Sequence, residues 1–361
     1  MGNLLSCWRW WKTCPRSHPT TTTTELVTGL RGNLRQVRPE TVPAPTPVRA
    51  KTRPRLTLNV DNSDPLSDLV PQTTTHTQDI GEHFPHAWER IGKGSMATVF
   101  RTIHGITGDT VAIKQIDYTR SGDTVLDAHF RRKVCRQIDT EVNCLSQLSH
   151  PNLLRVVGVY RNYRYLFLVT DYLVGGDLQH CLAVYPTLPE KTVQHLIRQL
   201  LTAVQHLHAH GVTHRDLKLE NLLLTHPDPD QATLQVCDLG ICTKLPPPYR
   251  ELVGTVSYLA PEVLDGCYDQ SCDLWSVGVI MYVLATGCFP FAGHTHLETM
   301  DAIRSAQWNS QDPQCAHLSR SARHLLGRLL TSEPTHRITA TEALAVSWFN
   351  TPPTTGSIPR E

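Results

Sequence analysis

The stretch Asp273–Thr286, DLWSVGVIMYVLAT, is apolar almost all the way round a helical wheel. A helix with no polar face must lie inside a body built by the rest of the chain. Its longest uninterrupted apolar run, Val277–Ala285, falls well short of the roughly 20 residues of a membrane span, so the enclosing body is protein. Upstream, Thr192–His208 sets Val193, Leu196, Ile197, Leu200, Leu201, Val204 and Leu207 on one stripe, the pattern of a helix with one buried face. Earlier still the period changes. Thr98–Ile103, Thr110–Ile116, Leu154–Tyr160 and Tyr165–Tyr172 read as strands, separated by turn residues such as Gly105 to Asp109. Strands first and helices after predict an α+β fold of two lobes, the smaller β-rich and the larger helical.

Residues 1–83 read differently. A threonine run (Thr20–Thr24), prolines at 43, 45 and 47, and few large apolar residues after Trp11 predict a disordered arm that cannot offset its own ordering entropy. Ten of its Lys and Arg residues fall within Met1–Arg55 against two acids, so that segment carries +8 and leaves −7 on the rest of a chain whose net charge is +1. A basic arm on a mildly acidic body points to an anionic surface as partner, with a merely solvated tail as the alternative. Bulk charge gives no reason to expect nucleic acid. Eleven cysteines without a CxxC pair, most in apolar surroundings, read as reduced thiols of a cytoplasmic or nuclear protein. Arg9 interrupts an already short apolar start, so no secretory signal is expected.

Several motifs carry chemistry. Ile91-Gly92-Lys93-Gly94-Ser95-Met96-Ala97-Thr98-Val99 is a glycine-rich turn between two strands, where backbone amides can approach phosphate oxygens. Lys114, in Val111-Ala112-Ile113-Lys114, follows on the next strand pair within reach of the same phosphates. Glu141 sits on an amphipathic stretch with Val142, Leu145 and Leu148, placed to pair with Lys114 or else to face solvent. The most specific segment is His214-Arg215-Asp216-Leu217-Lys218-Leu219-Glu220-Asn221, followed by Asp238-Leu239-Gly240. Phosphoryl transfer needs a carboxylate to orient and accept a hydroxyl proton, oxygen ligands for magnesium, and a cation near the moving phosphoryl group. Asp216, Asn221, Asp238 and Lys218 supply that set.

These motifs, in this order, resemble the eukaryotic protein kinase superfamily from about Trp88 to Phe349. The resemblance implies a protein kinase domain over 86–349, with an N-lobe to about 170, a C-lobe from 171 and a short tail over 350–361. It implies ATP and Mg²⁺ as cofactors, Asp216 as catalytic base and Lys218 at the γ-phosphate. Asn221 and Asp238 would bind the metal, and Lys114, positioned by Glu141, the α- and β-phosphates. Thr170 resembles the gatekeeper and Asp171 to Leu173 the adenine-binding hinge. Val99, Ala112 and Leu223 would sandwich the base, with Asp177 at the ribose. Gly254 to Glu262 resembles the end of an activation segment, with Arg337 as the partner of Glu262. Lys218, two residues after Asp216, and Thr255 match serine/threonine kinases, so the expected partners are protein substrates with Ser/Thr acceptors. Glu220 and Asp177 match acids that read upstream arginines.

The departures are small. Ala97 stands where the third glycine is usual, and Leu239 where phenylalanine is usual. Arg215 precedes the catalytic aspartate, an arrangement that often requires a phosphate in the activation segment. Thirteen residues after Asp238 stands Glu251, where many relatives carry a phosphorylatable threonine. A Glu251–Arg215 pair would replace that phosphate. The alternatives are a phosphate on Tyr249 or Thr243, or a Glu251 that faces water. A pseudokinase scaffold is the competing class, but it would be expected to lack Lys114, Asp216, Asn221 or Asp238, and all four are present. Twelve residues follow Phe349, and no calmodulin-binding helix is expected among them.

Met1-Gly2-Asn3-Leu4-Leu5-Ser6 fits the N-myristoylation pattern on Gly2. One acyl chain binds membranes marginally, so a second signal matters. Cys7 as a palmitoylation site, or Arg9, Lys12 and Arg16 with Trp8, Trp10 and Trp11, would provide it. The expectation is a monomeric, cytoplasmic, membrane-associated protein, with a soluble cytoplasmic or nuclear one as the alternative.

Overall fold

Alternation along Thr110–Asp117 organises the smaller lobe. Val111 and Ile113 point to one face, where they pack with Ile80, Phe84, Tyr160, Phe167 and Val169. Ile116 points to the other and packs with Val142, Val159, Leu166 and Leu168, and the two-residue period puts Ala112 and Lys114 on that same face. The computed structural model describes residues 80–93, 97–117, 136–137, 139–145, 147–162, 164–305, 308 and 313–350. These lie in one of two units of the chain; the other, Leu4–Asn59, falls outside the described residues, as do Gly2 and Cys7.

The smaller lobe is an antiparallel sheet of β1 (Glu89–Lys93), β2 (Ala97–Ile103), β3 (Thr110–Asp117), β4 (Val156–Arg161) and β5 (Tyr165–Asp171), in the order β1-β2-β3-β5-β4. Three sequence expectations need correction. The helix α1 (Ile80–His83) and the buried Phe84 pack in the sheet's outer core, so the predicted disordered arm over 1–83 does not extend through Ile80–His83. The glycine-rich segment is mostly strand: Ile91–Lys93 lie in β1 and Ala97–Val99 in β2, while Gly94, Ser95 and Met96 fall outside the described residues. The fourth strand also starts at Val156 rather than Leu154. The amide of Leu154 donates instead to Val236 O at 2.9 Å, which ties this segment to the larger lobe.

The larger lobe is built on α2 (Leu178–Val184), α3 (Glu190–Ala209) and α4 (Ser271–Thr286). The stripe read on α3 is its buried face. Fourteen consecutive residues of α4, Cys272–Ala285, are buried, as the all-round apolar pattern required. Gly287 ends α4 with φ 72°, the left-handed cap that glycine takes without a Cβ penalty. A two-stranded ladder, β6 (Leu222–Leu224) with β7 (Leu234–Val236), lies between the loop before β6 and the residues that follow β7. Cys237 N donates to Asn221 O at 3.0 Å and thereby joins those two ends.

Candidate active site

The loop from His210 to Asn221 is held by one buried acid. Asp273, in the first turn of α4, is 1% exposed. It accepts the backbone N–H groups of His214 and Arg215, each at 2.9 Å, and faces His208 Nε2 at 2.9 Å. Burial pushes its pKa up. The His208 hydrogen bond and charge, aided by His214 and the Arg215 amide, outweigh burial and hold the carboxyl below its ordinary value. The clamp holds Arg215 at φ 68°, and Asp238 has φ 61°, left-handed conformations that non-glycine residues seldom adopt.

The clamp presents Asp216. Lys218 Nζ lies 2.7 Å from Asp216 Oδ2, Thr255 Oγ1 donates to Oδ1 at 2.8 Å, and Lys218 Nζ also reaches Thr255 Oγ1 at 3.1 Å. Asn221 Nδ2 donates to the Asp216 carbonyl at 2.9 Å, and its amide oxygen accepts no hydrogen bond among the described residues. Burial lowers the pKa of Lys218, but Asp216 outweighs it, so the ammonium is held above its ordinary range.

Across the cleft, Lys114 Nζ lies 3.4 Å from Glu141 Oε2 and 3.6 Å from Asp238 Oδ1. Burial lowers the pKa of Lys114, and Glu141 followed by Asp238 more than reverses that, so the cation is secure. In return Lys114, against burial, holds Asp238 below the usual carboxylate range. Asp238 therefore offers an ionised carboxylate, and Asn221 an amide oxygen. Hard oxygen donors of this kind suit Mg²⁺, which takes its remaining ligands from phosphate and water. Leu239 is fully buried beneath, an apolar plug in place of the usual phenylalanine.

Val99, Ala112 and Leu223 are half-buried, and Thr170 is buried at the end of β5. Asp171 gives its carboxylate to Arg155 (Nε 2.8 Å), and its backbone N–H donates to Arg155 O at 3.3 Å. Asp177 caps α2, with Oδ1 accepting His180 N at 2.7 Å, so one carboxylate oxygen is already committed.

Below the loop, Arg215 Nη1 donates to Glu251 Oε2 at 2.9 Å and Nε to Ile241 O at 2.7 Å. Tyr268 OH donates to Glu251 O at 2.7 Å. The hydroxyls considered as alternative phosphate sites lie inside. Tyr249 is 7% exposed with its OH 3.0 Å from Thr213 Oγ1, and Thr243 is equally buried. Glu262 and Arg337 form a buried two-pronged pair, with Nη2 to Oε2 at 2.9 Å. Gly254, at φ 106°, passes so close to the loop that a Cβ there would lie 2.7 Å from Arg215 O.

Sequence reasoning missed Asp273, His208 and Tyr268 as parts of the site. Only Asp273 left a signal: a carboxylate opening an otherwise apolar helix must be buried, and a buried charge needs partners.

The family described as "Protein kinase domain" matches residues 86–349. The chain belongs to the protein kinase family, in its serine/threonine branch. It is 34% identical over 273 residues to a probable myosin light chain kinase of Dictyostelium discoideum, covering 74% of this chain and 67% of that one. It is 31% identical to calcium-dependent protein kinase 4 of Plasmodium berghei, covering 72% and 48% respectively. It is 31% identical to the serine/threonine-protein kinase cds1 of Schizosaccharomyces pombe, covering 72% and 57%. The chain thus spans between about half and two thirds of the length of these relatives.

Proposed function

We propose that the protein transfers the γ-phosphoryl group of ATP to serine and threonine hydroxyls of protein substrates. One observation carries the reading: the Asp216 carboxylate is fixed by Lys218 and Thr255 opposite the Lys114–Asp238 pair. In this reading Asp216 orients the acceptor hydroxyl and accepts its proton. Lys218, kept charged by Asp216, offsets negative charge on the phosphoryl group in transfer. Thr255 fixes the Asp216 rotamer beside the acceptor. Lys114 binds the α- and β-phosphates and is positioned by Glu141. Asp238 and Asn221 hold Mg²⁺, which when bound screens the phosphate charge. The glycine-rich sequence binds the phosphates, and Val99, Ala112 and Leu223 enclose the base. Phosphate transfer by the wild type but not by Asp216→Asn, on a generic basic Ser/Thr substrate, tests the assignment; equal rates sink it.

The Arg215–Glu251 pair supports a second element of the reading, activity without activation-segment phosphorylation. The carboxylate sits 2.9 Å from the arginine that a phosphate would otherwise neutralise. Phosphatase-treated protein should stay active, and Glu251→Ala should be weaker than wild type under the same treatment.

The N-terminal pattern supports a third element: acylation of Gly2, with Cys7 or the basic residues as second signal, anchoring a cytoplasmic monomer to an anionic membrane surface. Incorporation of an alkyne-tagged myristate that Gly2→Ala abolishes is the expected result. Equal labelling of both proteins refutes it.

A further inference from the structure

The helical residues 139–145 carry Glu141, and three residues on they carry Cys144. The segment after Asp238 carries Cys242. The two sulfurs lie 3.0 Å apart, although the cysteines are 98 residues apart in sequence, and both are free thiols. The pair therefore spans the two elements whose relative position sets the Lys114–Glu141–Asp238 arrangement. Nothing in the transfer reaction uses either thiol.

We propose that Cys144 and Cys242 form a peroxide-oxidisable dithiol, a modification site that closes into a disulfide between the Glu141 helix and the activation segment. Three further observations support it. First, the sulfurs line a cleft of about 1300 Å³, whose rim carries the exposed residues Arg136, Gln147 and Lys244, so a small oxidant has a route to a pair that is otherwise 3% and 5% exposed. Second, the cleft is cationic, lined by Arg136, Arg215 and Lys244 with Glu251 as its acid. Cationic surroundings favour the thiolate, which is the nucleophile. Third, the two thiols share one hydrogen bond, in which either can be the donor, and that bond with the nearby Lys244 favours a thiolate within the pair against burial.

Either thiol of the pair can react first. When Cys144 does, it gives its thiol proton to solvent, its thiolate attacks one peroxide oxygen, the O–O bond breaks, and the departing hydroxide takes up that proton as water, leaving a sulfenic acid on Cys144. Cys242 then attacks Cys144 Sγ, its proton passes to the departing hydroxyl, the S–O bond breaks, and water leaves. Two thiols lose two electrons and one peroxide becomes two waters. The sulfurs need to close by about 1 Å to reach a disulfide bond of about 2.05 Å. Closing a loop of this length also removes freedom from the unfolded chain, so the oxidised protein should melt higher.

The test uses the full-length chain, fully reduced and then titrated with hydrogen peroxide. Non-reducing peptide mapping should find the Cys144–Cys242 linked peptide as the first disulfide formed. The melting temperature should rise by several degrees and return on adding dithiothreitol. Cys242→Ser should show no linked peptide and no rise, and Cys144 should then stop at sulfenic acid, trapped by a dimedone probe. Cys144→Ser offers the reciprocal control should one variant fold poorly. Oxidation that reaches the exposed Cys267 first, or that takes Cys144 and Cys242 to separate sulfinic acids without linking them, would overturn the proposal.

Discussion

Consider Glu262→Gln. Glu262 is 7% exposed and Arg337 4%, and the two share parallel hydrogen bonds, including Nη2 to Oε2 at 2.9 Å. Arg337 also donates to Thr331 O at 2.9 Å and Ser271 O at 3.0 Å, and its guanidinium lies 5.2 Å from the Trp275 ring centroid. The substitution keeps the volume and one acceptor but leaves a buried cation facing only carbonyl dipoles. Stranding one member of a buried ion pair costs about 3–5 kcal/mol. For a domain of this size that is a fall in melting temperature of roughly 6–10 °C, at about 2 °C per kcal/mol. Arg337→Met paired with Glu262→Met removes both charges and should cost less than Glu262→Gln alone, because no uncompensated ion remains. Urea unfolding and calorimetry of the three proteins read both quantities. A loss under about 1 kcal/mol for Glu262→Gln, or a double variant worse than the single, would refute the claim that an unpaired buried charge sets the penalty.

Four other outcomes follow from the same geometry. Glu251→Ala exposes only one partner of a pair whose acid is 71% solvent-accessible, so the effect is modest, about 0.2–1 kcal/mol. Phosphatase-treated variant should retain between about a fifth and two thirds of wild-type kcat/KM, and a loss beyond 100-fold would mean that Glu251 does something else. Gly254→Ala forces a Cβ to 2.7 Å from Arg215 O and should cut kcat at least tenfold, with a smaller change in ATP affinity; unchanged kcat would show the contact to be irrelevant. The folded pKa of Asp273 is depressed, so its stabilisation is complete above the ordinary aspartate value of about 3.9 and is lost as pH falls through the lower folded value. Asp273→Asn should therefore be less stable at neutral pH and show a shallower acid limb in stability against pH; a limb as steep as wild type would contradict this. Lys114→Met should lower ATP affinity while leaving melting temperature within a few degrees, readable by nucleotide titration.

Much of the fold was legible because period and burial coincide. The α3 stripe and the all-apolar α4 appear where the pattern put them, and β2, β3 and β5 agree with the sequence to within a residue at each end. Errors arose where tertiary pairing overrode local pattern. Leu154 looks like strand but bonds to Val236 in the other lobe, and Ile80 looks like arm yet packs in the sheet's outer core. The charged residues of the site were readable from motif spacing because the chemistry dictates their types. The clamp was not, since His208 and Tyr268 act through geometry that arises only when distant segments meet. Likewise Cys144 and Cys242 are two unremarkable apolar-context cysteines until folding brings their sulfurs together.

The most direct measurement is transfer of labelled γ-phosphate from Mg-ATP by purified protein, wild type beside Asp216→Asn, with phosphoserine and phosphothreonine resolved separately. The account predicts label on serine or threonine from the wild type and a loss of at least a hundredfold in the variant, with ATP still bound. Equal transfer by both proteins, or ATP binding with silence from both under every phosphorylation state, would contradict it.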